Sequence, residues 1–477
     1  MKNGKEWLLG AALFASFGAL GQAPTESVLK ELRQNEMKYG DAAQQIWNFA
    51  EVGYQEEKSS ALLQNMLRQE GFTVQAGVAG IPTAFVATFG QGQPVIGILA
   101  EYDALPGLSQ EAKPTQKALK EGAAGHACGH HLFGVGSVAS AVATKNWLVA
   151  NKHPGTIKLY GTPAEEGGSG KVYMVREGLF DGVDAVLHWH PGSDNSAAAS
   201  SSLANISAKF RFRGVAAHAA ASPERGRSAL DGVEAMNFMI NMMREHIPAD
   251  GRIHYIITSG GKAPNVVPDY AEVYYYARHP NREVVKDMWA RMVKASEGAA
   301  LGTGTSVEHE IIGGVHELLP LDALAKVMDA NLRKVGGIKY DESELAFARQ
   351  IHPSFGPNAP AISSAATVQP YALERTGMGS TDVGDVSWTV PTVGLRTATW
   401  VPGTAAHSWQ AVAAGGTSIG RKGMLVAAQT LALTAIDLFQ NPKLLSEAKA
   451  EFEQKRGKNF KYEALLGNRP PALDYRK

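Results

Sequence analysis

Six consecutive residues, His126-Ala127-Cys128-Gly129-His130-His131, hold the only cysteine in 477 residues beside three of the fourteen histidines. Thiolate and imidazole are strong ligands for a borderline-soft divalent ion such as zinc, so the cluster points to metal chemistry. Taken alone, the same residues also fit a turn with a buried cysteine and solvated histidines. Four further groups bear on that choice. Glu165-Glu166 sets two carboxylates side by side. In extended backbone neighbouring side chains point to opposite sides, so one can hold a metal while the other faces a substrate as general base. His188-Trp189-His190 puts two imidazoles on one face of a strand end. His407 lies in a Gly- and Ala-rich loop, and His218 lies in Ala216-Ala217-His218-Ala219; each also reads as a surface histidine. Cys128, His130, Glu166, His190 and His407 together exceed what one tetrahedral zinc takes from protein. Two ions about 3.5–4 Å apart, sharing a bridging ligand and a bridging water, would use them all.

These groups sit where an α/β pattern would bring them together. The apolar run Val95-Ile96-Gly97-Ile98-Leu99-Ala100 reads as a central strand covered on both faces, and it ends in Glu101-Tyr102-Asp103. The Cys128 turn opens a small-residue helix over about 132–150. The strand Thr156-Ile157-Lys158-Leu159-Tyr160 runs into Glu165-Glu166, and Ala185-Val186-Leu187 runs into His188 and His190. Strand–helix alternation predicts a mostly parallel sheet, whose ligands gather beyond the carboxyl ends of its strands. The two-residue spacing places Cys128 and His130 on a loop, because in a helix they would point to nearly opposite sides.

The pattern changes near Asn205. A strand with one wet face, an amphipathic helix over 227–246, strands 252–259 and 270–278, a helix over 282–297 and a strand over 305–312 follow. That β-α-β-β-α-β order is ferredoxin-like and self-contained. The expected layout is a signal over 1–22, a catalytic domain in two parts (23–203 and 316–440), an α+β insert over 204–315 and a tail over 441–477. One long helix over 27–50 is expected near the start. Residues 341–375 and the polar tail resist assignment.

Forty-six basic residues balance 46 acidic ones with no charge block, which leaves no footprint for nucleic acid. Lys2 and Lys5 precede an apolar run from Trp7 to Leu20, with Ala19 and Gly21 placed for cleavage before Gln22. Cleavage after Ala23, or an uncleaved anchor, are the other readings. The expectation is export, to a periplasm, with no later stretch long and apolar enough to cross a membrane. With one cysteine there is no intrachain disulfide, so Cys128 is free, ligated or paired between chains.

Six stretches carry a resemblance: Gly125-His126-Ala127-Cys128-Gly129-His130, Pro163-Ala164-Glu165-Glu166-Gly167-Gly168, Trp189-His190-Pro191, Ala263-Pro264-Asn265-Val266-Val267-Pro268-Asp269, Gly379-Ser380-Thr381-Asp382 with Val383 to Trp388, and His407-Ser408-Trp409-Gln410. In this order they resemble the dinuclear metallohydrolase family of aminoacylases, carboxypeptidases and indoleacetyl-amino-acid hydrolases. Within that family they sit nearest to members that cleave p-aminobenzoyl-glutamate. The resemblance implies two divalent ions, zinc or manganese, held by Cys128, His130, Glu166, His190 and His407, with the cysteine bridging. It implies Glu165 as general base, acting on the metal-bridging water. It also implies that His218 reaches a neighbouring subunit's site in a homodimer formed through the insert, and that Asn265 and Arg278 hold the substrate carboxylate. His131 stands where many relatives carry Asp or Asn, and His188 matches no family ligand. The implied reaction is hydrolysis of the amide of an N-acyl amino acid. A broad N-acyl-amino-acid amidohydrolase or dipeptidase is the alternative, and a non-catalytic metal-binding protein the remote one.

Overall fold

The computed structural model describes residues 22–197 and 199–476, so the segment read as a signal lies outside the described residues up to residue 21. Among the described residues twelve strands form three sheets. They are β1 (Thr73–Ala76), β2 (Phe85–Gln91), β3 (Val95–Ala100), β4 (Gly155–Gly161), β5 (Ala185–Gly192), β6 (Ala199–Ser201), β7 (Ala204–Arg213), β8 (Arg252–Ser259), β9 (Tyr270–His279), β10 (Ser306–Val315), β11 (Leu373–Thr376) and β12 (Thr392–Ala398). The main sheet runs β1-β2-β4-β3-β5-β12. Its β4, β3, β5 and β12 are parallel, while β1 and β2 add an antiparallel edge.

All six residues of β3 are buried, as the unbroken apolar run requires of a strand covered on both faces. The chain leaves β3 through the helix His130–Ala150 to β4 on one side, then crosses to β5 on the other. The carboxyl ends of β3, β4 and β5 therefore border the point where strand order reverses, which is where open α/β sheets place their ligands. Two glycines let the first helix lie close to that point. A Cβ on Gly134 would come within 2.8 Å of Glu101 O, and one on Gly136 within 2.9 Å of the Trp189 ring.

The second sheet, β10-β7-β9-β8, is antiparallel and carries helices Ala229–Met243 and Arg282–Thr303. Its own core is built on Phe210, Phe212, Met236, Val273 and Met288, in the β-α-β-β-α-β order read from sequence.

Two elements differ from expectation, and two stretches left unassigned take form. The helix read over 27–50 is two, Gln22–Gln34 and Glu36–Phe49, broken at Asn35. The helix Ser418–Gln440 does meet the length and composition for crossing a membrane, against the expectation that none would. It is instead the core partner of His130–Ala150, with most of its length buried. Residues 341–375 resolve into short pieces, led by a helix Glu342–Ile351 with a capping box between Asp341 and Glu344. The tail forms a helix Pro442–Arg456 and then runs back over the molecule to Arg476.

Candidate metal centre

Gly129 (φ +76°) turns the chain in the left-handed region, which costs glycine nothing, and the helix begins at His130. That turn, rather than a longer loop, brings the side chains at 128 and 130 together. A Cβ on Gly129 would lie 2.6 Å from Pro191, so the turn also packs tightly on the end of β5. There Cys128 Sγ lies 3.4 Å from His190 Nε2. Glu165 and Glu166 diverge on a turn rather than on extended backbone, which corrects the reason for their separation. Ala164 (φ +57°) and His407 (φ +60°) hold left-handed backbone at a cost of about 1–2 kcal/mol each, which tertiary contacts must offset.

Ligand atoms converge in two overlapping triads. Cys128, His130 and His190 form one, and Cys128, Glu166 and His407 the other, with the atoms of each within 4.8 Å of one another. His407 Nε2 stands 2.9 Å from Glu166 Oε1. A third cluster, Glu101, His130 and Glu165, adjoins them. All five expected ligands therefore meet, and Cys128 belongs to both triads.

The chemistry of this set fits divalent ions. His130 Nε2 and Glu101 Oε2 are buried 3.1 Å apart and Glu166 Oε1 faces His407 Nε2, but none of these three atoms makes a well-aligned hydrogen bond, which leaves them open to a ligand. His130 Nδ1 faces Asp103 Oδ1 at 2.8 Å and His190 Nδ1 faces Pro191 O at 2.7 Å, which leaves each Nε2 for coordination. Burial alone would keep His130 neutral, but the Cys128 sulfur and the carboxylates of Asp103 and Glu101 push its pKa well above the usual range. The proton supplies the positive charge that a cation would bring. Burial pushes the Cys128 thiol up, helped by the Glu166 carboxylate. Glu165 is raised well above the usual carboxylate range, first by burial and then by the charges of Glu101, Glu166 and Asp382.

Several contributors were not singled out in the sequence. Asp103 accepts from the Glu166 backbone N–H at 2.9 Å as well as facing His130, so one carboxylate orients two ligands. Beneath them Lys171 Nζ bonds both Glu101 Oε1 and Asp382 Oδ1 at 2.7 Å, with all three side chains buried. Glu101 and Asp103 were signalled by the end of a buried strand and Asp382 by its place after Gly379-Ser380-Thr381, while Lys171 carried no signal. His126 and His131 are buried supports. Their Nε2 atoms face Ile46 O at 3.0 Å and Gly415 O at 3.1 Å, and burial pushes His126 down to about 3. His188 lines the cavity and contributes to none of the clusters.

The centre opens into a cavity of about 570 Å³ that reaches the second sheet through Asn205, Tyr276 and Arg278. Arg278 thus lies in the cavity of its own chain. His218 and Asn265 do not line it; both are exposed on the insert, joined by the Ala219 N–H donating to Asn265 O at 3.0 Å.

The model of peptidase family M20/M25/M40 matches residues 97–412. One of the two kinds of subunit of the p-aminobenzoyl-glutamate hydrolase of Escherichia coli (strain K12) is 43% identical over 449 residues, covering 89% of this chain and 93% of that protein. The Xaa-Arg dipeptidase of Mus musculus is 30% identical over 433 residues, covering 88% of this chain and 89% of its own. Among solved structures, the Bacillus subtilis YXEP protein, described as a dinuclear metal-binding peptidase, superposes with a TM-score of 0.58. It shares 16% identity over 86% of this chain and 99% of that one.

Proposed function

The chain belongs to peptidase family M20/M25/M40, and from that membership we propose a two-metal centre that hydrolyses the amide of an N-acyl amino acid, p-aminobenzoyl-glutamate first. It is a metal-dependent hydrolase of carbon–nitrogen amide bonds. The observation that carries the reading is the meeting of two ligand triads at Cys128 with Glu165 alongside. Bound divalent ions would polarise the amide carbonyl and lower the pKa of the attacking water. One thiolate and three imidazoles favour zinc, while the Glu166 carboxylate leaves manganese as the alternative.

The residues divide the remaining work. Glu165 takes the proton of the attacking water and returns it to the leaving nitrogen. Arg278 offers a guanidinium to a substrate carboxylate inside the cavity. With metal analysis run in parallel, p-aminobenzoyl-glutamate is expected to be turned over about tenfold or more efficiently than other acyl-amino acids and dipeptides. Comparable rates across the panel would favour the broad amidohydrolase. A metal-loaded protein that cleaves none of them would be a binding protein.

The homodimer belongs to the same proposal. His218 Nδ1 accepts from the N–H groups of Ala220 and Ala221, at 3.2 and 3.1 Å, so Nε2 is left to face outward toward a second chain. Val215 and Val266 beside it are exposed. In a partner's site His218 would donate to the tetrahedral oxyanion and Asn265 would hold the carboxylate. Co-expressed Glu165→Gln and His218→Ala chains are then expected to regain roughly a quarter of wild-type activity, since about half of the dimers are mixed and only one of the two sites in a mixed dimer is complete. No regain would remove His218 from a shared site. Export remains the reading of the first residues, and a mature protein that still begins at Met1 in the cytoplasm would sink it.

A further inference from the structure

After the helix Pro442–Arg456 the chain runs as a strap against β10 of the second sheet and against helices and loops of the main domain. The Tyr462 hydroxyl donates to Asp385 at 2.8 Å, and Arg469 pairs with Glu310 on β10 at 3.1 Å and also donates to Ile311 O. Arg176 donates back to the carbonyls of Gly467 and Arg469, at 3.2 and 2.8 Å. Gln55 donates to Leu473 O at 2.8 Å, and the Tyr475 ring sits edge-on to Tyr54 at 5.5 Å. The strap therefore joins the second sheet to the main domain. At its end the Tyr475 hydroxyl and Arg476 Nη2 both donate to the backbone carbonyl of Glu166, at 3.1 and 2.8 Å.

Arg476 also lines the cavity, together with Arg278 and Arg396. Among the described residues none of these three guanidinium groups has a carboxylate partner, whereas Arg211, Arg282 and Arg469 are all paired with glutamates. The Nε of Arg278 is buried with no hydrogen-bond partner at all. The carboxylates that share this lining, Glu101, Glu165, Glu166 and Asp382, face His130, Lys171 and His407 and pair with none of the three, so the guanidinium groups are left to favour an anionic occupant. One guanidinium serves the α-carboxylate common to every N-acyl amino acid. Two more imply a second acidic group, and they oppose a basic side chain at the same place. A guanidinium uses one of its five N–H donors on Glu166 O and keeps others in a fork that matches a carboxylate.

We propose that the C-terminal strap completes the substrate cavity, with Arg476 as the residue that selects substrates whose amino acid carries a side-chain carboxylate. This rests on the amide-hydrolase reading given above, and it narrows the substrate class to acyl-glutamate and acyl-aspartate. Contact with Glu166 through its backbone gives Arg476 a second consequence: the strap is seated against the loop that presents Glu165 and Glu166.

The test compares one acyl group on glutamate and on glutamine, which have the same shape and differ in charge. The wild-type enzyme is expected to prefer the glutamate amide. Arg476→Ala lowers that preference by about ten- to a hundredfold, the range expected for a charged hydrogen bond, and the loss falls mainly on KM. Arg476→Lys keeps the charge without the fork and falls between. Calorimetry with free glutamate and free glutamine provides a second readout that needs no turnover. There wild-type binding favours glutamate, and Arg476→Ala erases the difference. An unchanged preference in Arg476→Ala, or equal losses on both substrates and both ligands, overturns the proposal, the latter leaving only a structural strap. Selective glutamate binding without turnover of either amide would support Arg476 and overturn the reaction instead.

Discussion

Glu165→Gln is expected to lower kcat by about a thousandfold or more while metal content stays at the wild-type level. The separation of the two effects follows from geometry. Neither ligand triad that meets at Cys128 includes Glu165; its cluster is with Glu101 and His130. Glutamine keeps the size and one acceptor oxygen, so the turn over residues 165–168 has no reason to rearrange. What is lost is a group that can take a proton from water and give it to the departing nitrogen. Glu101 is a poor replacement, because Lys171 holds its Oε1 at 2.7 Å and its Oε2 faces His130 Nε2 at 3.1 Å. Kinetics with p-aminobenzoyl-glutamate, alongside elemental analysis, decide the matter. Near-normal kcat would remove Glu165 from the role of base, and loss of metal would make it a ligand.

The candidate ligands could be picked out in the sequence because their chemistry is local. Cysteine beside histidine, paired glutamates and histidines at a strand end are each ambiguous alone, but together they make a donor set with few uses other than metal binding. The sheet was legible for a related reason: runs such as Val95–Ala100 and Ala185–Val186–Leu187 have no other ready use than a strand covered on both faces. What could not be read was whatever depends on a distant partner. Lys171 looks like any surface lysine until Asp382, 211 residues away, and Glu101 are seen around it. Asp103 was visible only as one acid at a strand end, yet it faces His130 and accepts from the Glu166 amide. The strap beyond Arg456 carries no apolar period, because its hold is divided among two buried leucines, Leu465 and Leu466, single aromatic rings and hydrogen bonds to backbone rather than one amphipathic face. His218 and Asn265 were read from motif alone, and in one chain they stand outside the cavity.

Cys128→Ala is the sharper test of the centre itself. It is expected to empty both metal positions and to lower kcat/KM by more than the ten- to hundredfold that the loss of an outer supporting group costs. The reasoning turns on sharing. His190 and His130 appear in one triad, Glu166 and His407 in the other, and Cys128 alone appears in both. Removing His407 therefore leaves one triad whole, and a His407→Ala protein should retain about one ion per chain. Removing the sulfur leaves each triad with two ligands and no common one, too few to hold a divalent ion by the usual rule of three or four. The fold should tolerate the change, since alanine takes up less room than the thiol at a buried position and His190 keeps its Nδ1 on Pro191 O. The thiol's raised pKa gives the same conclusion from the other side. Burial makes the anion unfavourable unless a cation arrives to stabilise it, so a cysteine here has little purpose as a free group. Elemental analysis after gel filtration, with circular dichroism to confirm the fold, reads the result directly. A folded Cys128→Ala protein that still carries two ions would show that the sulfur does not bridge them, and the five-ligand centre would have to be redrawn around Glu101 or Glu165.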